Sequence, residues 1–254
     1  MKIKLLAICF LAYMFATATE RKITVMTYNV RAASLTTLDS LAAEIASYTP
    51  DFVALQEIDV MTQRTNAPQI NGKNMVSELA SRTGMFGYFA RTLNFAGGYY
   101  GIAILSKHPS ITIDKFMLPN PMQTEQRAML RGLFEIDGND TICFVCTHLD
   151  VKSAETRLLQ TDFILDKLND ASMPTILGGD MNARPDEACI ANLKEKMTDI
   201  SGTEYTFPAD KPNRKIDYLF AMPSDAFTLL NTEVIGETRQ LSDHRPIVTT
   251  LLLK

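Results

Sequence analysis

The sequence predicts an α/β (α+β) protein built from two packed mixed β-sheets flanked by helices. Three observations carry this. Strand-like segments outnumber helical ones. Some neighbouring strands are joined by hairpin turns and others by helical crossovers, so antiparallel and parallel pairs must share a sheet. The strand-like runs are apolar, and two packed sheets with helices outside would bury them.

The elements follow in order. Residues 23–28 read as a strand, with Thr24, Thr27 and Tyr28 among its β-formers. Residues 35–48 (LTTLDSLAAEIASY) carry apolar residues at helical spacing, with Ser34 as the expected cap. Pro50 and Asp51 end that helix, and 52–55 reads as a buried strand. Residues 74–82 form a short helix closed by Gly84. Strands follow at 86–91, 99–106, 110–117, 128–136 and 141–147, with Asp137-Gly138-Asn139-Asp140 as a hairpin turn between the last two. Residues 153–169 read as a helix capped by Ser153, with Leu158, Leu159, Phe163, Leu165 and Leu168 on or near one face. A strand (174–178), a short helix (186–195) and strands near 215–221, 226–235 and 246–253 complete the chain.

The chain has 254 residues, 46% hydrophobic and 21% charged, an ordinary globular balance. It shows no repeat, low-complexity stretch or linker, so one domain over 19–254 is expected after an export signal at 1–18. Lys2 and Lys4 form the basic start of that signal, Leu5 to Phe15 its apolar run, and Ala16-Thr17-Ala18 its cleavage site. The apolar run is shorter than the ~20 residues a membrane span needs. Ile8 stands where lipid attachment at Cys9 wants a small residue. The expectation is an exported protein, periplasmic or extracellular, with no stable membrane insertion after cleavage, and a monomer.

Removing Lys2 and Lys4 from the 25 basic residues leaves 23 against 29 acidic ones, a formal net charge of −6. That balance disfavours tight non-specific nucleic-acid binding. Cys143 and Cys146 lie three apart on one strand and point to opposite faces, so they are poor disulfide partners. Buried apolar cysteines are the simpler reading, with a bridge from Cys189 to one of them left open.

Hard, metal-liking or proton-transferring groups stand at strand edges in six separate segments. Asn29 follows ITVMTY, Glu57 follows DFVALQ, and His148 follows TICFVCT. Asp180 and Asn182 follow MPTILGG, Asp217 sits in KIDYLF, and Asp243-His244 lies in SDHRP. Strand-end loops converge on one rim of a sheet core, so distant residues meet there. Glu57, with an amide oxygen of Asn29 and Asp243 as a candidate third oxygen, suits a hard divalent ion. Each alone is more commonly a surface or turn residue.

Of three histidines, His108 in SKHPS reads as ordinary surface. His148 and His244 each adjoin an Asp-containing loop. In phosphate ester cleavage, one would assist proton removal from water and the other would donate a hydrogen bond or charge to the phosphate. Asp180 and Asn182 could orient the attacking water, with Gly178 and Gly179 allowing close approach and sharp turning. A buried Asp217 needs a partner, and His244 is the one expected. Arg64, Arg127 and Arg157 are candidate phosphate contacts, or equally ion-paired surface arginines.

In order, TYNVR, LQEID, YGIAILSKHP, THLD, GGDMNARP, RKIDYLF and SDHRPI resemble the endonuclease/exonuclease/phosphatase superfamily. That superfamily includes pancreatic-type deoxyribonuclease, abasic-site endonucleases, inositol polyphosphate 5-phosphatases and bacterial neutral sphingomyelinases. The matching text spans 25 to 247. The resemblance implies a four-layer α/β sandwich and Mg²⁺- or Mn²⁺-dependent phosphoester hydrolysis. It maps Glu57 and Asn29 to the metal, with Asp243 a further ligand. It maps Asp180 and Asn182 to the water-orienting and transition-state positions. It makes His244 the catalytic histidine, Asp217 its carboxylate partner and His148 the phosphate-contacting histidine.

Substrate choice in such proteins lies in the loops between these segments, which are short here. No basic or aromatic insertion suits a grip on DNA, and no apolar hairpin suits entry into a bilayer. Phe95 to Tyr100 and Thr206 to Arg214 are the candidate rim loops. The expected substrate is a small or lipid-derived phosphate ester. A secreted nuclease acting on DNA or RNA is the alternative, and a catalytically silent binding module on the same fold is a third reading.

Overall fold

Apolar residues on both faces of the central strands force four layers. A computed structural model describes residues 21–136, 140–169, 173–236 and 241–254. The expected signal at 1–18 and the turn residues 137–139 lie outside them. One sheet runs β11 (Phe227–Val234), β12 (Ile247–Leu253), β1 (Arg21–Asn29), β2 (Phe52–Val60), β4 (Gly98–Ser106), β3 (Phe86–Phe95). The other runs β5 (Ser110–Met117), β6 (Ala128–Ile136), β7 (Asp140–His148), β8 (Thr175–Asp180), β10 (Asp217–Met222), β9 (Thr198–Asp199). In the first sheet β1 and β2 pair parallel across the crossover helix α1 (Leu38–Ser47). In the second, β7 and β8 pair parallel across α3 (Ala154–Lys167). The other paired strands are antiparallel.

Alternation along each strand sends one set of side chains between the sheets and the other toward a helix. In β1, Ile23 and Val25 enter the inter-sheet core, where they join Phe52, Phe134, Phe144 and Ile176. Met26 and Tyr28 face outward, against Leu41 and Ile45 of α1 and Val76 and Leu79 of α2 (Met75–Thr83). On the far side, Val145, Leu177 and Phe220 pack with Ile164 of α3 and with Ile190 and Leu193 of α4 (Ala188–Lys194). Phe52 stacks on Phe144 at 5.1 Å and meets the edge of Phe134 at 5.0 Å. Cys143 and Cys146 fall in different layers, and Cys143, Cys146 and Cys189 are buried free thiols.

Several expectations need correction. Thr37, not Ser34, caps α1 by accepting the Ser40 N–H at 3.2 Å, because residues 31–33 form a tight turn with positive φ. The apolar residues expected on one face of α3 turn inward only in part: Leu168 is buried and Phe163 and Leu165 pack against the same core, but polar residues share the buried face. Thr156, Arg157, Gln160, Thr161 and Ile164 are buried, whereas Leu159 is 46% exposed. Polar side chains can face inward there because they reach backbone partners: Gln160 takes the Asp150 N–H at 2.8 Å and donates to the Pro119 carbonyl at 3.0 Å. The two-residue strand β9 was not foreseen. His108 is half-buried, its ring 5.4 Å from that of Phe52. Ala96 and Gly97 both have positive φ and join β3 to β4 in a two-residue hairpin turn.

This topology sets the site. Parallel strands β1, β2, β7 and β8 end at one rim, and antiparallel β10 and β12 begin there. The sheets must close tightly at that rim. A Cβ on Gly178 would lie 3.0 Å from the Ala54 Cβ of the opposite sheet, and one on Gly179 would lie 2.3 Å from the Thr147 carbonyl oxygen. Neither glycine has the positive φ of a sharp turn. They serve close approach, one between sheets and one between strands.

Gly178→Val should therefore wedge the sheets apart and lower the unfolding free energy by about 1–3 kcal/mol, the usual effect of overpacking. Urea denaturation checks this, and an unchanged midpoint with an unchanged slope would contradict it.

Candidate active site

Five buried groups form a line at the rim: Asp217, His244, Asp180, His148 and Arg127. Asp217 begins β10, and both its carboxylate oxygens face His244 Nδ1, at 3.1 and 2.9 Å. Its own N–H faces the Thr206 hydroxyl at 3.3 Å. His244 sits in the loop before β12, and its Nε2 lies 3.7 Å from Asp180 Oδ2. Asp180 ends β8 beside His148, which ends the parallel strand β7; His148 Nε2 is 3.5 Å from the same Oδ2. Arg127 Nη1 meets His148 Nδ1 at 3.0 Å. An arginine can only donate, so Nδ1 accepts and the ring proton of His148 sits on Nε2, facing the cleft.

The charges follow from these contacts. Burial would depress the His244 pKa, yet Asp217 and Asp180 outweigh it and raise the pKa to about 10. Burial, then the positive charges of Arg127 and His244, hold His148 well below the usual histidine value. Burial and the nearby Asp217 carboxylate push Asp180 up to about 7, against the pull of His244. At neutral pH the line therefore holds a charged imidazolium, a neutral imidazole, and between them a carboxylate poised to take a proton.

Glu57 is aimed by the backbone. β2 carries one extra residue against β4 between Leu55 and Ile58, and Glu57 within that bulge has φ of 57°. A left-handed conformation in a residue other than glycine is strained, and such strain gathers at functional sites. Burial and the Asp243 carboxylate raise the Glu57 pKa, partly offset by the Asn29 hydrogen bond. Asn29 Nδ2 donates to Glu57 at 3.0 Å and to Asp180 at 3.1 Å, while its Oδ1 accepts the Arg31 N–H at 3.1 Å. Asn29 thus orients two carboxylates, and its amide oxygen, which accepts one N–H, keeps a second lone pair that a cation could take.

Two donor sets could hold a metal ion. Asp180, Asp217 and His244 offer ligand atoms within 4.8 Å of one another. Glu57 and Asp243 face the same cleft; burial raises Glu57 and the Asp243 carboxylate adds to it, so a cation between them would offset both. All-oxygen donors fit Mg²⁺ or Mn²⁺. In the first set His244 Nδ1 already spans both Asp217 oxygens, and a metal there would have to displace that contact. The second set leaves the Asp217–His244 contact intact.

Asn182 has φ of 48°; its N–H donates to Asp180 Oδ1 at 2.8 Å and its Nδ2 to the Leu149 carbonyl at 3.1 Å, leaving a second amide hydrogen. Asp243 is paired with Arg31 at 3.3 Å. The cleft holds about 470 Å³ and collects Glu57, Asp180, Asn182, Asp243, His148 and His244. Arg64 and Arg127 also line it, but both are engaged. Arg64 grips Asp59 with two nitrogens and lies over the Phe95 ring at 4.5 Å, and Arg127 pairs with Glu125 at 2.9 Å. Arg157 is not brought to the cleft: it is buried against the Asp150 carbonyl and Glu187. Tyr100, Phe207 and Arg214 also line the cleft, and all three lie in the two segments expected to form its rim, although none of them stood out individually as a site residue.

The fold and the residues can now be compared with known proteins. No curated protein matches the chain. An endonuclease/exonuclease/phosphatase from Beutenbergia cavernae superposes with a TM-score of 0.78 at 23% identity, over 92% of this chain and 72% of that one. A mannosyl-6-phosphatase from Bacteroides thetaiotaomicron gives 0.72 at 17%, over 90% and 99%. The human Nocturnin catalytic domain with bound sulfate anion gives 0.72 at 18%, over 93% and 97%. At these identities the likeness is one of fold. The model of the Endonuclease/Exonuclease/phosphatase family matches residues 26–244, most of the sequence, and this chain belongs to that family.

Proposed function

We propose that this chain is an exported Mg²⁺- or Mn²⁺-dependent hydrolase of phosphate esters, acting on a small or lipid-derived substrate. Members of the family are phosphoesterases. The observation that carries the reading is the buried line Asp217–His244–Asp180–His148–Arg127, in which each proton has an assigned place.

Roles follow from protonation. Asp180 is the group that accepts a proton from an attacking water. His244, kept charged by Asp217, is a donor to a phosphoryl oxygen, and His148 presents a neutral Nε2–H beside it. This divides the labour differently from a reading in which a histidine removes the proton. Asn182 adds its remaining amide N–H to the same oxygens. Fixed donors aimed at developing charge in a water-poor cleft supply most of such an acceleration. A divalent cation at Glu57 and Asp243 would supply further neutralisation at the phosphoryl and leaving oxygens. Water forms the new P–O bond as the bond to the leaving oxygen breaks.

The cleft supports a small substrate. Its volume of about 470 Å³ lies within the range of small-molecule sites. Leu93, Phe95, Tyr100 and Ile216 give it an apolar wall. A solved relative in fold is described as a mannosyl-6-phosphatase and another carries a bound sulfate anion, which accords with an anion-binding cleft. The expected signal at 1–18 supports export.

Three outcomes are expected. His244→Ala should lower turnover by ~10²–10⁴-fold with the fold intact; a near-wild-type rate would remove its role. Glu57→Gln should shift the Mg²⁺ titration of activity to higher concentration, and an unchanged titration would take Glu57 off the ligand set. The mature protein should hydrolyse one class among inositol phosphates, phosphoinositides, sphingomyelin and a generic bis-ester, with Mg²⁺ and not with EDTA. Cleavage confined to plasmid DNA or RNA would replace this reading with a nuclease. No cleavage together with no metal binding would leave a binding module.

A further inference from the structure

Arg214 differs from the other arginines of the cleft. Arg64 is held by Asp59, and Arg127 by Glu125 and His148. The Arg214 guanidinium has no carboxylate partner among the described residues, and it lies over the Phe207 ring at 4.5 Å. The Phe207 ring in turn packs on His244, with centroids 4.7 Å apart. A cation therefore stands one aromatic ring beyond the catalytic imidazole, on the same cleft wall.

The backbone builds this arrangement. Arg214 and Phe207 exchange hydrogen bonds at 3.0 Å in each direction. The Ala209 N–H donates to the Asp243 carbonyl at 2.7 Å, and the Arg245 N–H to the Thr206 carbonyl at 2.8 Å. Arg245 Nε donates to the Ala209 carbonyl at 2.9 Å. The loop from Thr206 to Arg214 is thus tied to the segment that carries His244. A guanidinium stacked on an aromatic face keeps its edge N–H groups free for an anion. A solvated arginine on a free loop would have neither support.

We propose that Arg214, seated on Phe207, forms a second anion subsite, and that the substrate carries another anionic group, phosphate or carboxylate, besides the phosphate being cleaved. This rests on the reading of the cleft as a phosphoesterase site and names the class of ester it takes. A doubly anionic small ester spans from the line around Asp180 to Arg214. A charge-assisted contact of this kind is worth about tenfold or more in affinity.

Binding, not turnover, tests it. Isothermal titration with Mg²⁺ present would compare glucose 6-phosphate, 6-phosphogluconate and glucose 1,6-bisphosphate on the wild type, Arg214→Gln and Arg214→Lys. A thermal melt of each variant checks that it is folded. The wild type should bind at least one doubly anionic probe about tenfold more tightly than glucose 6-phosphate. The preferred probe tells carboxylate from phosphate. Arg214→Gln should bring the ratio close to one, and Arg214→Lys should restore part of it. Equal binding of all three probes by the wild type, or a ratio unmoved in folded Arg214→Gln, would overturn the subsite while leaving the phosphoesterase reading in place. No binding of any probe would overturn the subsite, while the phosphoesterase reading stands or falls on the cleavage panel.

Discussion

The side chain of Asn29 is the tie between the two sheets on which the site depends. It ends β1 in one sheet and donates to Asp180 at the end of β8 in the other. Its second amide hydrogen holds Glu57. Its backbone carbonyl accepts the Ser242 hydroxyl at 2.6 Å, which fixes the loop bearing Asp243 and His244. One buried residue thus sets the spacing between the carboxylate that suits a cation and the carboxylate that suits a proton. A hydrogen bond to a charged group is worth about 1.5–3 kcal/mol, and leaving such a group unmet costs more. Gly178 next to the rim makes this tie reachable, because any side chain there would hold the sheets apart.

Electrostatics explains why so much charge can be buried together. Asp217 and Asp180 bracket His244, so the imidazolium offsets two carboxylates that would otherwise repel. Burial, with Arg127 facing the ring, keeps the other imidazole neutral. Their surroundings give the two histidines opposite charge states. Glu57 and Asp243 bring two further carboxylates to the same cleft, and the proposed cation would sit between them. Arg214 and the rings of Phe95, Tyr100 and Phe207 line the same cleft.

Much of this was legible in the sequence because it is local. Strand cores such as TICFVCT and MPTILGG announce themselves by composition, and the residues just past them fall at strand ends whatever the sheet order. The pairing of Asp217 with His244 followed from the need to satisfy a buried carboxylate. What was illegible depends on long-range geometry. The bulge that turns Glu57 inward shows no break in the run FVALQEIDV. Arg157 looked like a phosphate contact because burial of its guanidinium against Glu187 is a tertiary event. The polar inner face of α3 reverses the usual rule, since Gln160 and Arg157 reach backbone carbonyls that no helical periodicity reveals. Arg214 is marked by having no carboxylate partner among the described residues, which only the assembled cleft displays.

The central claim is a division of labour, with the cation at Glu57 and the proton chemistry at Asp180, His244 and Asp217. Anomalous diffraction from crystals soaked in Mn²⁺ tests it most directly. The expected result is a peak beside Glu57 and Asp243, with His244 Nδ1 still facing Asp217. A peak ligated by His244 and Asp217, with their contact broken, would contradict it and make those residues the metal site.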